Sequence, residues 1–235
     1  MSTIPFKKYV IRSLAIILLL FFLLFVGACV LLWPFAYFNS RESICHANLY
    51  YLGYCMEDYY DSIHHLPIFT DGQGNPTLSW RIVSLKEFKE FSDLRLDESW
   101  QSKHNWPIIQ NLEMDKSFAC AFTYPQEKLA AFVALTGEGT AWNEIHEGRK
   151  TPQECGDMIL IIEIPNPKNH WAEPGDDVTP EEVIKIFTAY KNRKQTFFPP
   201  RKHFPNRFYT AWERAGSFDD IENIEELKRR LVIQP

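Results

Sequence analysis

Two carboxylates and an imidazole, Glu163, His170 and Glu173, lie close together just past the apolar run Met158 to Ile164. At the end of a buried strand, such donors could converge on a divalent cation such as zinc. The plainer reading, which we favour, has Glu163 and His170 satisfying buried polar groups while Trp171 packs. His64 and His65 are adjacent, so their rings diverge and do not readily share one metal. Asp97 and Glu98 are consecutive carboxylates that point apart on strand or helix, which suits a solvated loop. The chain contains no Gly-x-Ser-x-Gly, His-Glu-x-x-His or Cys-x-x-Cys, the local signatures of common hydrolase, metalloprotease and redox sites.

The stretch DGQGNP, residues 71–76, carries the strongest turn chemistry. A phosphate-cradling loop would need a Lys after its glycines, and none follows. A calcium loop would need alternating acids and a distant bidentate Glu, which Asp71, Gln73 and Asn75 approximate only weakly. Asp-Gly and Gly-Asn-Pro instead mark a corner ahead of an extended segment that buries Trp80. No catalytic residue, cofactor or metal is assigned on these grounds. Glu163, His170 and Glu173 remain the weak metal candidates.

The elements that must position these residues are short. Trp80 to Leu85 reads as a brief strand, and Leu85, Phe88 and Phe91 suggest a short helix after it. Trp106 to Leu112, with Pro107 early, reads as a helical turn or two. Leu129 to Leu135 and Met158 to Ile164 are compact apolar runs of buried-strand type. Thr179-Pro180-Glu181-Glu182 is a capping box that opens a helix through Val183, Ile184, Phe187 and Tyr190. Arg207 to Trp212 reads as a strand, and Asn223 with Glu226 caps a last helix using Ile224, Leu227 and Leu231. The segment KNRKQTFFPPRK, residues 191–202, is the one loop with a local basic excess.

At the other end, no charged residue occurs from Ser13 to Asn39, and Leu14 to Trp33 reads LAIILLLFFLLFVGACVLLW. Twenty such residues as a helix span about 30 Å, the thickness of a hydrocarbon core. Lys7, Lys8 and Arg12 precede the run, which predicts a cytoplasmic N-terminus with the remainder across the cytoplasmic membrane, periplasmic or extracellular. Val26-Gly27-Ala28-Cys29 has the form of a lipobox, but the apolar run continues through Trp33. An uncleaved single-pass anchor, contacting lipid through residues 13–38, is therefore favoured over a lipoprotein or a cleaved signal. Pro34 should interrupt or kink the helix. Beyond it, Ile44, Asn48, Tyr51/Leu52, Cys55, Tyr59 and Ile63 recur every three or four residues, predicting an amphipathic helix from about Ser40 to Ser62 whose Ile44/Leu52/Cys55/Tyr59 side packs on the sheet. Residues 1–39 then form a stub and anchor, and residues 40–235 one extracytoplasmic domain.

Net charge is -5 and aromatics make up 15% of the 235 residues. That balance offers no basic footprint for nucleic acid and enough aromatic content to exclude disorder. Outside the anchor stand Cys45, Cys55, Cys120 and Cys155, an even number that allows three pairings in an oxidising compartment.

Several stretches, taken in order, resemble a pilin-like family of unknown function that is numerous in planctomycete bacteria. They are Cys45-x-x-Asn48-Leu49-x-x-Leu52-Gly53, Asp71-Gly72 to Ser79-Trp80-Arg81, and Leu96-Asp97-Glu98-x-Trp100-x-Ser102-x-His104-Asn105. Thr136-Gly137-x-Gly139-Thr140-Ala141-Trp142 follows, then Ile159 to Glu163 and His170-Trp171-x-Glu173-Pro174. The resemblance implies an α+β, pilin-like fold in which the anchor helix continues into an amphipathic helix packed on an antiparallel sheet. It also implies a pseudopilin-related surface or secretion-associated protein that works through contacts with other envelope proteins, without catalysis. The alternative is an anchored metal binder or metal-dependent enzyme using Glu163, His170 and Glu173. Because relatives tend to carry cysteines at the positions of Cys45 and Cys120, the resemblance points to that pair as the disulfide. Two departures stand out. The prepilin peptidase motif is missing, and His203 is followed after nine residues by Glu213-Arg214 in place of the family's Asp-Gly.

Overall fold

A computed structural model of the chain describes residues 4–85, 92–112, 116–121, 128–165, 167, 169–175, 177–193, 207–211 and 214–232. Phe88 and Phe91 of the expected short helix lie outside these residues. So do His203 and Glu213 of the altered signature, Trp212, and most of the basic loop.

The first element is one helix, α1, Ile4–Ile63, 60 residues long with Pro34 inside it. The expected interruption at Pro34 does not end the helix. Proline removes one N–H from the ladder, and the helical turns on both sides carry on past it. Leu14, Leu18, Phe21, Leu24, Phe25 and Trp33 are all exposed along the first half, and this is a helix long and apolar enough to cross a membrane.

The second half of α1 is the spine of an α+β fold. Cys45, Leu49, Leu52 and Met56, spaced at four, three and four residues, are buried. This differs from the expected face at Ile44, Tyr51 and Ile63, which are 50%, 38% and 45% exposed. One helical step turns a side chain by about 100°, so the neighbouring Cys45, not Ile44, enters the core.

After α1 come a two-stranded hairpin, β1 (Phe69–Thr70) with β2 (Pro76–Leu78), and a 3-10 helix at Trp80–Leu85. The strand expected for Trp80–Leu85 is therefore corrected to a tight helix. Its residues Trp80, Arg81, Ile82 and Val83 are all buried, so there is no alternation of the kind a half-exposed strand needs. Helix α2 (Asn105–Asn111) and a 3-10 turn at Lys116–Phe118 lead to the main sheet.

That sheet has four strands: β3 (Phe132–Ala134), β4 (Ile159–Glu163), β5 (Arg207–Thr210) and β6 (Ala215–Ser217). They lie in that order, each pair antiparallel. Between β3 and β4 sit α3 (Ala141–His146) and α4 (Pro152–Cys155), both N-capped by threonine. Helix α5 (Pro180–Lys191) has the expected capping box, and α6 (Ile224–Leu231) is capped by Asn223.

Both faces of the sheet are covered, which explains why β4 is buried throughout and its first four residues are apolar rather than alternating. Phe132, Ala134, Ile161 and Tyr209 join the core that includes α1. Val133, Ile162 and Phe208 join a second core with Val183, Phe187, Phe218, Leu227 and Leu231 from the α5/α6 side. A register shift between Ile159 and Ile161 lets the consecutive Leu160 and Ile161 both join the α1 core, as a bulge does.

Candidate functional site

Three side chains of one face of α1 hold the segment 116–121. Arg41 Nη1 donates to Ala121 O at 2.6 Å, and Asn48 Nδ2 donates to Lys116 O at 3.0 Å and Ala119 O at 3.1 Å. Between them the Ala121 N–H donates to Cys45 Sγ at 3.1 Å. The spacing 41, 45, 48 is one helical stripe, so a single face of α1 binds that segment along its length. This brings Cys120 Sγ to 3.4 Å from Cys45 Sγ.

Glu163, the last residue of β4, has a carboxylate oxygen that completes a group with both sulfurs. All three donor atoms lie within 4.8 Å of one another, and all three residues are buried. Arg207, the first residue of β5, approaches Glu163 Oε2 at 3.4 Å through Nη1 and Glu42 Oε1 at 3.4 Å through Nη2. Its side chain is only 7% exposed. A shallow groove lined by Glu42, Ser43, His46 and Arg207 lies on the outside.

This cluster can do two things chemically. On two-electron oxidation the thiols can join, since they already touch. Two sulfurs and a carboxylate are also a ligand set for a thiophilic divalent cation. The guanidinium of Arg207 beside the carboxylate weighs against the second, because a dication would sit next to a fixed positive charge in a low-dielectric site. In the structure both cysteines are free thiols. The expected Cys45–Cys120 pair is in contact without the bond: at 3.4 Å the sulfurs are far outside the roughly 2.05 Å of a disulfide.

The metal candidates from the sequence are distributed differently. Glu163 belongs to the thiol cluster. Among the described residues, the convergent group that contains it includes neither His170 nor Glu173. His170 pairs across an isolated bridge with Leu129. Its ring stacks on Trp100 at 5.1 Å and meets Trp106 and Trp171. His170 Nδ1 accepts from the Ala172 N–H at 3.2 Å, and Glu173 accepts from the His170 N–H at 3.3 Å. Burial, with Lys128 nearby, pulls the His170 pKa down to about 4, so a neutral ring fills an aromatic cluster.

Glu98, His65 and Asp71 have local partners. Glu98 pairs with Arg95 at 2.7 Å on the surface. His65 packs edge-on against Tyr59 and His146. Asp71 Oδ1 accepts from the N–H groups of Gln73 and Asn75, and its other oxygen accepts from the Asn75 side chain. These bonds hold its carboxyl below the usual range and close the β1–β2 turn, with Gly74 at φ 84°.

Arg207 and Arg41 are the residues that reading the sequence missed. Neither lies in a recognisable motif, and only the sheet register places Arg207 near Glu163. Comparison of the chain with protein-family models, with curated proteins and with solved structures gives no match.

Proposed function

We propose that this chain is a single-pass, membrane-anchored, pilin-like module whose extracytoplasmic domain works by contacting other envelope proteins rather than by catalysis. The observation that carries the reading is the continuity of α1. One helix holds the exposed apolar stretch Leu14 to Trp33 and, after Pro34, the buried face Cys45, Leu49, Leu52 and Met56. An element shared in this way ties the domain stiffly to the membrane, which suits a presenter of surface. Lys7, Lys8 and Arg12 put the N-terminus on the cytoplasmic side, so residues 40–235 lie outside. In that oxidising space the apposed Cys45 and Cys120 close to a disulfide.

External protease added to intact spheroplasts tests the topology: residues 40–235 should be removed. A fully protected domain would overturn the reading, as would a mature chain beginning at Cys29. Proximity labelling from the same domain tests the role, with envelope proteins expected among the products.

A second reading is favoured by one observation, the buried Cys45, Cys120 and Glu163 group. In it the domain is an anchored metal binder with a different ligand set from Glu163, His170 and Glu173. Metal analysis of the purified full chain separates the two. A stoichiometric metal that is lost in Cys45→Ser would support the second.

A further inference from the structure

Beside the β1–β2 hairpin the surface opens into a recess of about 110 Å³. Phe69, Trp80 and Trp142 line it together with Pro67, Pro76 and Pro174. The two indole rings pack on one another at 5.6 Å. Two backbone bonds tie the surroundings together: the Ser79 N–H donates to Ala172 O at 3.1 Å, and the Thr136 N–H donates to Val178 O at 3.0 Å. The recess is therefore formed before any ligand arrives, which lowers the cost of binding.

One lining group lacks its hydrogen bond. Trp80 is 5% exposed, and its indole N–H has no acceptor among the described residues. A buried donor in that state gains from a carbonyl oxygen brought against it. Charge narrows the occupant further. The Arg81 guanidinium lies 4.8 Å from the centre of the Trp80 ring, and Asp177 lines the recess. A fixed positive and a fixed negative group together favour a neutral dipole over a free ion of either sign. Size narrows it again. A site for a drug-sized ligand or cofactor needs about 300 Å³ or more, so this recess takes a single ring or side chain.

We propose that the recess binds a proline of an extended peptide, with the Trp80 indole N–H donating to a carbonyl beside the proline ring. A polyproline II segment has the matching chemistry. It forms no internal hydrogen bonds, so its carbonyls are bare, and its rings dock in aromatic-lined grooves. Its stiffness also limits the chain entropy lost on binding. The proposal rests on the contact-making role above and names the partner class for it, a proline-containing segment of another envelope protein.

Titration of decaproline into the full chain in detergent, with the indole nitrogens labelled for magnetic resonance, tests this. The Trp80 indole signal, assigned by its loss in Trp80→Phe, should move downfield as the bond forms and then saturate. Trp80→Phe keeps an aromatic ring and should weaken binding, read from the Trp142 signal, by about tenfold. The chain has seven tryptophans, so the remaining indole signals report whether that variant keeps its fold. Ile68 also lines the recess and is 44% exposed, so Ile68→Asp spares the core and should likewise weaken binding about tenfold. A Trp80 signal unmoved by decaproline would overturn the proposal. So would an equal response to a Gly-Ser peptide of the same length, or unchanged affinity in Ile68→Asp. Because the chain is dispersed, the result is independent of topology. Decaproline binding by a chain whose domain is protected from external protease would uphold the site and overturn only the anchored reading.

Discussion

Gly53 of α1 lies directly against the ring of Tyr209 on β5, so close that a Cβ at position 53 would overlap the ring. The Tyr209 hydroxyl reaches past the glycine and donates to Glu57 Oε1 at 2.5 Å. The missing side chain is what lets the helix approach the sheet, and the hydroxyl fixes the approach from the other side. Gly53→Ala should therefore destabilise the domain by about 1–3 kcal/mol through overpacking, despite alanine's better helix propensity. Tyr209→Phe should cost about 1–1.5 kcal/mol for the lost hydrogen bond. Urea unfolding of both variants checks the order. A stabilised Gly53→Ala would mean the ring is free to swing aside.

Leu52 and Ile44 are apolar residues only about 80° apart around α1, yet they stand at 0% and 50% exposure. Leu52→Ala should cost about 2–5 kcal/mol, while Ile44→Ala should stay within about 0.5 kcal/mol. Equal losses in thermal melts would place Ile44 in the core after all.

The Cys45–Cys120 contact spans 75 residues of sequence. For such a loop, chain entropy assigns an unstrained disulfide about 4 kcal/mol. Oxidation proceeds by exchange with a donor disulfide: one thiolate attacks a donor sulfur and the second displaces it. The donor leaves as a dithiol, taking up the two protons that the cysteines give up. Non-reducing peptide mapping of the exported chain should recover Cys45 joined to Cys120. Separately alkylated peptides would show that the Arg41, Cys45 and Asn48 contacts alone hold segment 116–121.

His170 gives a pH dependence. Its pKa is lowered from 6.5 to about 4 in the folded chain, so between those values the unfolded chain binds more protons. The contribution is fully present above pH 6.5 and is lost as pH falls towards 4. Because the ring is only half-buried, solvent screening discounts the effect to about 1–2 kcal/mol. Stability measured from about pH 7 to about pH 4 should fall less steeply in His170→Gln than in the parent. Identical slopes would assign the acid sensitivity to other groups.

Buried Glu163 should depend on the Arg207 guanidinium beside it. Arg207→Met should destabilise the chain by about 3–5 kcal/mol, since a buried carboxylate loses a charge partner. Glu163→Gln added to Arg207→Met should recover part of that loss by removing the buried charge. Additive losses in a double-mutant cycle would mean the two side chains do not interact.

Local chemistry makes part of this protein legible in its sequence. The charge-free run from Ser13 to Asn39 reports a span by length and composition alone. Thr179 with Glu182, and Asn223 with Glu226, announce two helix starts because capping is a three-residue event. Thr151-Pro152-Gln153-Glu154 has the same form and opens α4, so that helix was open to the same reasoning. The DGQGNP corner closes on its own Asp71 in the same way.

Tertiary contact decided the rest. In the 3-10 helix at Trp80–Leu85, Trp80, Arg81, Ile82 and Val83 are all buried, and such continuous burial erases the periodicity that separates strand from helix. Whether Ile44 or Cys45 enters the core turns on one helical step of about 100°, a rotation set by Gly53 meeting Tyr209 and not by the apolar pattern. Glu163 and His170 are near neighbours in sequence. Yet Glu163 faces Cys45, Cys120 and Arg207, while His170 sits among Trp100, Trp106 and Trp171. The register of β4 on β5 sets Glu163 beside Arg207, while an isolated bridge to Leu129 places His170, and such pairings are properties of the folded sheet rather than of either strand.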